Sequence, residues 1–269
     1  MRIDLLRVVI LAISALLLAL PARSEDALTY RALAPPHWDG KSAMPLLLYL
    51  HGYGQTSDEI ANDKDLVAAV AEFGALFVIP DRPGHAWAHR GAPAEGRDDF
   101  GFLRAVIADA KAKFPIDAQK VYAAGFSIGG SMVWDLACHA AQGFAAFLPV
   151  SGAFWLPYPE RCETGPVNLR HVHGVMDTTV PMGGRTIFGR YTQGDVGKGW
   201  DILRATDRCG SEEDRKTREE LLSCQTWSSC ASGHQLQLCI HDDGHEIQPA
   251  WLLGGLRWAA ALPGQKEKP

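Results

Sequence analysis

Past Glu25 the chain alternates short, dense apolar runs with longer stretches whose apolar residues recur at helical spacing. Pro45 to Leu50, Ala75 to Ile79, Val121 to Ala124, Phe144 to Val150 and Leu169 to Val175 are brief, aliphatic and bounded by Gly, Pro or polar residues. Each predicts a strand buried on both faces. Ser57 to Phe73, Asp99 to Phe114 and Val196 to Arg208 predict helices, ending at Gly74, at Pro115 and just before Gly210. Gln248 to Ala261 is again apolar at helical spacing, and Leu221 to Trp227 with His234 to His241 predict two strands about a turn at Ser228 to Gly233. Strands interleaved with helices predict an α/β architecture, a mostly parallel central sheet with helices on both faces. No internal repeat or Pro/Ser/Gly-rich linker interrupts the pattern, so residues 25–269 are expected to form one domain.

The first segment follows a different rule. Arg2 and Arg7 precede an unbroken apolar run from Val8 to Leu20, and Pro21, Ala22, Arg23 and Ser24 follow. That arrangement predicts a secretory signal peptide over residues 1–24, cut after Ser24 or after Ala22. The run is shorter than the roughly 20 residues a bilayer span needs, so no stable membrane anchor is expected. The predicted location is secreted or periplasmic.

Composition then narrows the partners. With 47% hydrophobic and 21% charged residues among 269, the chain is neither a disordered tail nor a coiled coil. Loss of three Arg and one Asp with the leader takes the formal charge from -5 to -7. A chain so charged lacks the basic field that a phosphate backbone requires, and no nucleic-acid partner is expected. Six cysteines in an exported chain predict disulfides. Locality favours Cys138 with Cys162 and places Cys224 opposite Cys239 on the two late strands, which leaves Cys209 for Cys230. No C-x-x-C is present, and no metal cluster is expected from the cysteines.

Chemistry enters at Gly125-Phe126-Ser127-Ile128-Gly129, a G-x-S-x-G between a predicted strand and a predicted helix. A sharp turn there lifts the serine hydroxyl above the sheet, and the glycines let neighbouring backbone approach. Such a serine needs a base, and the base needs a carboxylate that fixes its tautomer. Asp177 follows the strand ending near Val175, and His245 follows the strand ending at His241, both on loops past the serine. His241 is the rival base but ends a strand; Asp242 and Asp243 are rival acids too close in sequence to reach behind His245. The backbone N–H groups of Ile128 and of Tyr53, in Leu50-His51-Gly52-Tyr53-Gly54-Gln55, are the expected oxyanion donors, with His51 bracing the loop. A metal set of His171, His173, His241 and His245 is the alternative, although H-E-x-x-H is absent. Trp87, Trp155 and Tyr158 lie in loops where aromatic rings stack on a substrate or pack the loop bases. The short connection between Gly152 and Val167 leaves no room for a large helical lid.

Together these strings, with Asp98-Asp99-Phe100-Gly101-Phe102-Leu103, His173-Gly174-Val175-Met176-Asp177, Val180-Pro181 and Gly244-His245, resemble the secreted α/β-hydrolase esterases that include polyhydroxybutyrate depolymerases and feruloyl or acetyl-xylan esterases. The resemblance spans most of the chain in the same order. It implies an α/β-hydrolase fold and a serine esterase with Ser127, Asp177 and His245 as triad, acting on ester substrates without a cofactor. Asp98 and Asp99 look like that family's helix-start feature and are expected to cap a helix. The run from Glu246 to Trp251 departs from the Trp and Pro that many depolymerase-like relatives place soon after the histidine. Other readings of the same constellation are a serine peptidase of the prolyl-oligopeptidase type and a non-catalytic binding protein of the same fold.

Overall fold

The computed structural model describes residues 28–263 apart from 83, 85, 95 and 220, so the predicted leader lies outside the described residues. The chain runs β1 (Tyr30–Leu33), β2 (Met44–Leu50), α1 (Ser57–Asn62), α2 (Lys64–Phe73), β3 (Leu76–Pro80), α3 (Asp99–Lys113), β4 (Ile116–Phe126), α4 (Ile128–His139), β5 (Ala146–Val150) and β6 (Leu169–Gly174). It continues through β7 (Arg185–Ile187), β8 (Tyr191–Gln193), α5 (Val196–Asp207), β9 (Arg215–Glu219), β10 (Leu222–Trp227), β11 (Leu236–His241) and α6 (Pro249–Ala260). Nine strands form one sheet in the order β1-β3-β2-β4-β5-β6-β11-β10-β9. From β3 to β11 neighbours are parallel; β1, β10 and β9 join antiparallel at the two sides.

The period of two along β2 explains the layers. Leu46, Leu48 and Leu50 enter a core with Val106 of α3, Trp134 of α4 and Leu203 of α5. Leu47 and Tyr49 enter a second core with Val70 of α2 and with Leu252 and Leu256 of α6. Both faces of the sheet are therefore covered, which is why the strands read as continuous apolar runs. The connection from β5 to β6 contains no helix.

Several elements differ from the sequence reading. The helix expected over Ser57 to Phe73 is two helices: Asp63 ends α1 and its carboxylate accepts from the Leu66 N–H at 3.0 Å, capping α2. β4 extends back to Ile116, which pairs with Met44 across an irregularity in β2. Asp98 caps α3 by accepting from the Gly101 N–H at 2.8 Å, but Asp99 does not cap. It is buried, and it accepts from Arg82 at 2.7 Å, from the Ala88 N–H at 2.6 Å and from Arg97 at 3.2 Å. A carboxylate taken out of water requires such partners, and here they gather the loop between β3 and α3.

The disulfides are Cys138–Cys162, Cys209–Cys230 and Cys224–Cys239. The first ties the end of α4 to the β5–β6 connection. The second ties the chain after α5 to the β10–β11 turn, and the third joins residues directly opposite on β10 and β11.

Candidate active site

Ser127 sits between the last residue of β4 and the first of α4 with φ 58° and ψ -122°. A serine in that region is strained, and the strain persists because the surroundings fix it. Its N–H donates to the Val150 carbonyl at 3.0 Å, and its own carbonyl accepts from the Ser131 N–H at 2.9 Å. A Cβ on Gly129 would overlap the Leu50 carbonyl oxygen and stand 2.6 Å from that of His51. Only glycine lets the end of β2 lie directly against the turn. The helix that follows aims its N-terminal N–H groups, that of Ile128 first, at the space above the serine.

Across the sheet, β6 and β11 end side by side and their loops bring Asp177 and His245 together. His245 Nδ1 lies 2.7 Å from Asp177 Oδ2. Asp177 is buried, and its other oxygen accepts from the N–H groups of Thr179 and Val180 at 2.8 and 2.7 Å. A carboxylate only accepts, so Nδ1 carries the proton and Nε2 is left with its lone pair. The imidazole packs on the Phe126 ring, centroids 4.7 Å apart, beside the serine.

Behind Asp177 runs a buried file of rings. The Trp134 Nε1–H points at His171 Nδ1 at 3.3 Å, His171 Nε2 lies 2.9 Å from His173 Nδ1, and His173 Nε2 lies 2.7 Å from the Val180 carbonyl and 3.7 Å from Asp177 Oδ2. The Val180 carbonyl accepts from His173 Nε2, which leaves His173 Nδ1 to accept from His171 Nε2, while His171 Nδ1 lies between the Trp134 indole N–H and the Pro149 carbonyl, the latter 3.1 Å away. Burial pushes the pKa of both histidines down, so they stay neutral. Their nitrogens are thereby occupied, and the four-histidine metal set is replaced by a structural file.

Tyr53, Ser127, Ile128, Trp155, Ile187 and Phe188 help line a cleft of about 460 Å³. The loop that carries Tyr53 is braced: Gln55 Oε1 accepts from the Gly52 N–H at 2.8 Å, and His51 Nδ1 donates to the Gly52 carbonyl at 2.9 Å. Trp87 does not reach the cleft. It is fully buried, and its indole donates to the His51 carbonyl at 2.9 Å, supporting this loop from behind. Trp155 forms one wall, whereas the Tyr158 hydroxyl turns to the Asp195 carbonyl at 3.2 Å.

Residues 45–162 match the family described as alpha/beta hydrolase fold. The chain is 31% identical over 246 residues to the putative esterase NocK of Nocardia uniformis subsp. tsuyamanensis, covering 83% of this chain and 70% of that one. The chain belongs to the α/β-hydrolase esterases. It is 25% identical over 223 residues to a probable feruloyl esterase C of Aspergillus terreus, with 80% and 75% of the two chains covered. Its fold is like that of the acetyl xylan esterase from Aspergillus awamori, at a TM-score of 0.60 and 14% identity over 86% of this chain and 93% of that one. The esterase is thus a carboxylic ester hydrolase.

The far wall of this esterase's cleft is what the sequence reading missed. β7 and β8 form a hairpin with Phe188 at its turn, 86% exposed and at φ 53°. Arg185 anchors the hairpin, donating to the Gln193 side chain at 3.0 Å and to the Thr178 carbonyl at 3.2 Å. The Leu156 N–H donates to the Thr192 carbonyl at 2.9 Å, and the Gly194 N–H to that of Phe154 at 2.7 Å. The signal was present in Thr186-Ile187 and Tyr191-Thr192 about the Phe188-Gly189 turn, but strands so short carry little periodicity.

Proposed function

We propose that this esterase cleaves its substrate through an acyl-serine intermediate, with Ser127 as nucleophile, His245 as base and acid, and Asp177 as the carboxylate that fixes the imidazole. The observation that carries the reading is the 2.7 Å Asp177–His245 pair beside a serine on a strained strand-to-helix turn. Ser127 Oγ attacks the ester carbonyl while His245 Nε2 takes its proton, and the N–H groups of Ile128 and Tyr53 receive the developing oxyanion. Collapse expels the alcohol, which leaves with that proton. Water then attacks the acyl-serine, giving a proton to His245, and the second collapse releases the acid and returns the proton to Ser127.

The acyl group proposed is aromatic, a feruloyl ester in preference to an acetyl ester or a hydroxyalkanoate oligomer. Trp155, Phe188 and Ile187 offer apolar walls to a planar ring, and an aromatic ring on such a wall gains about 0.5–1.5 kcal/mol beyond simple burial. The names of relatives such as the Aspergillus terreus protein support the same choice. The enzyme is proposed to act as one domain over residues 25–269, outside the cytoplasm after loss of residues 1–24. The disulfides and the apolar leader favour that compartment.

The test is a panel of methyl ferulate, acetylated xylan and hydroxybutyrate oligomers against the wild type and Ser127→Ala. Ferulate should be hydrolysed fastest, and the variant should lose roughly 10⁵- to 10⁶-fold in kcat with an unchanged circular dichroism spectrum. Retention of activity in Ser127→Ala removes the nucleophile assignment; faster turnover of the acetyl or oligomer substrate removes the acyl preference.

A further inference from the structure

We propose that His241, Asp243 and Glu246 form a binding site for a divalent cation of the zinc class, in the turn that carries His245. One ring nitrogen of His241 and one carboxylate oxygen from each acid lie within 4.8 Å of one another. Two anionic groups that close repel unless a cation stands with them, yet among the described residues no Lys or Arg pairs with either acid. Gln248 donates to one oxygen of Glu246 at 2.9 Å, which leaves the other for a ligand.

The second observation is independent of the acids. His241 is only 1% exposed, and both its ring nitrogens are buried without a hydrogen-bond partner. A buried imidazole left so has lost its water without replacement, and a bound cation at one nitrogen removes part of that cost. The ring cannot swing away. It packs on Trp251 with centroids 4.3 Å apart, and its Cε1 stands 2.7 Å from where a Cβ on Gly174 would be.

One imidazole nitrogen with two carboxylate oxygens suits Zn²⁺ and its neighbours better than Ca²⁺ or Mg²⁺, which take oxygen ligands throughout. Zn–ligand bonds of about 2.0–2.2 Å bring ligand atoms to about 3.5 Å apart, so the set must contract by an ångström or so. Asp243 is exposed and free to supply that movement. The ligands flank His245 on both sides in sequence. The same turn is bonded to the Asp177 loop, through the Val175 N–H to the His241 carbonyl at 3.0 Å and the Met176 N–H to the Asp243 carbonyl at 3.2 Å. A cation here would staple the turn independently of the ester chemistry.

The experiment is equilibrium dialysis of the chelator-treated full chain against Zn²⁺, with thermal melts and Co²⁺ absorption in parallel. One ion per chain, a raised melting temperature and visible Co²⁺ bands are expected, with binding at least about tenfold weaker in both Asp243→Asn and Glu246→Gln. Ser127→Ala should bind like the wild type, so failure of the esterase assignment and failure of this site are told apart. Zn²⁺ binding unchanged in the two carboxamide variants, or no stoichiometric binding at all, overturns the site. Displacement by Ca²⁺ at equal concentration overturns the zinc-class assignment.

Discussion

Ser127 stands on a turn whose neighbours leave no room for added atoms, whereas Asp177 and His245 meet across two loops joined by hydrogen bonds. The elbow is packed between β2, β4 and β5 in the middle of the sheet, and its shape follows from backbone contact. The acid and base ride the ends of β6 and β11, next to the antiparallel addition β10–β9 and its disulfide. Steric fixing does not depend on protonation, and hydrogen bonding does. The proposed nucleophile is therefore set by packing, and its proposed activators are set by groups that titrate and by a covalent clip.

The sharpest way to break one side alone is Asp177→Asn. The amide retains an oxygen for the Thr179 and Val180 N–H groups but turns an NH₂ toward His245 Nδ1, which favours the wrong tautomer. Turnover should fall about 10⁴-fold with little change in melting temperature, as measured by kcat beside calorimetry. A loss below tenfold would mean that this carboxylate does not orient the base.

Removing the clip tests the same side through stability. Replacing Cys224 and Cys239 by Ser opens a covalent loop of sequence separation 15. The double variant should lose about 3 kcal/mol in guanidinium melts. Hydrogen exchange should speed first at β10 and β11, while α4 amides beside the elbow keep their protection. Equal loosening in both regions would dissolve the contrast.

A third effect, visible only as a change in pH dependence, is expected from Asp207→Asn. Burial pushes the Asp207 carboxyl up to about 7, with one oxygen accepting from the Val167 N–H at 3.1 Å just ahead of β6 and the other without a partner. The folded state holds this proton more tightly than the unfolded one does. Its contribution is complete below the ordinary value of 3.8 and is lost as pH rises toward about 7. The amide cannot ionise, so the variant's stability should fall less between those limits, seen in melts at a series of pH values. Parallel wild-type and variant curves would sink the assignment.

How much of this was legible depended on how each feature is held. The elbow was written locally, because Gly125, Ser127 and Gly129 must be adjacent for the turn to form. Asp177 and His245 were legible because each follows an apolar strand. Trp87 was misread as a possible substrate contact: a tryptophan in a loop gives no sign that its indole will find the His51 carbonyl. β9 was also invisible, since Arg215–Glu219 is held by backbone pairing to β10 and shows no apolar alternation. Asp63 fell inside a helical pattern, where a cap at a junction of two helices looks like one more polar position.

That charged strand has a consequence for life at high concentration. A nine-stranded sheet offers two open rims, each a row of backbone donors and acceptors on which another molecule can template itself. One rim is β1, only four residues long; the other is Arg-Lys-Thr-Arg-Glu, largely exposed. A second copy approaching that rim must desolvate and crowd like charges to add a strand, which disfavours growth of the sheet from that side.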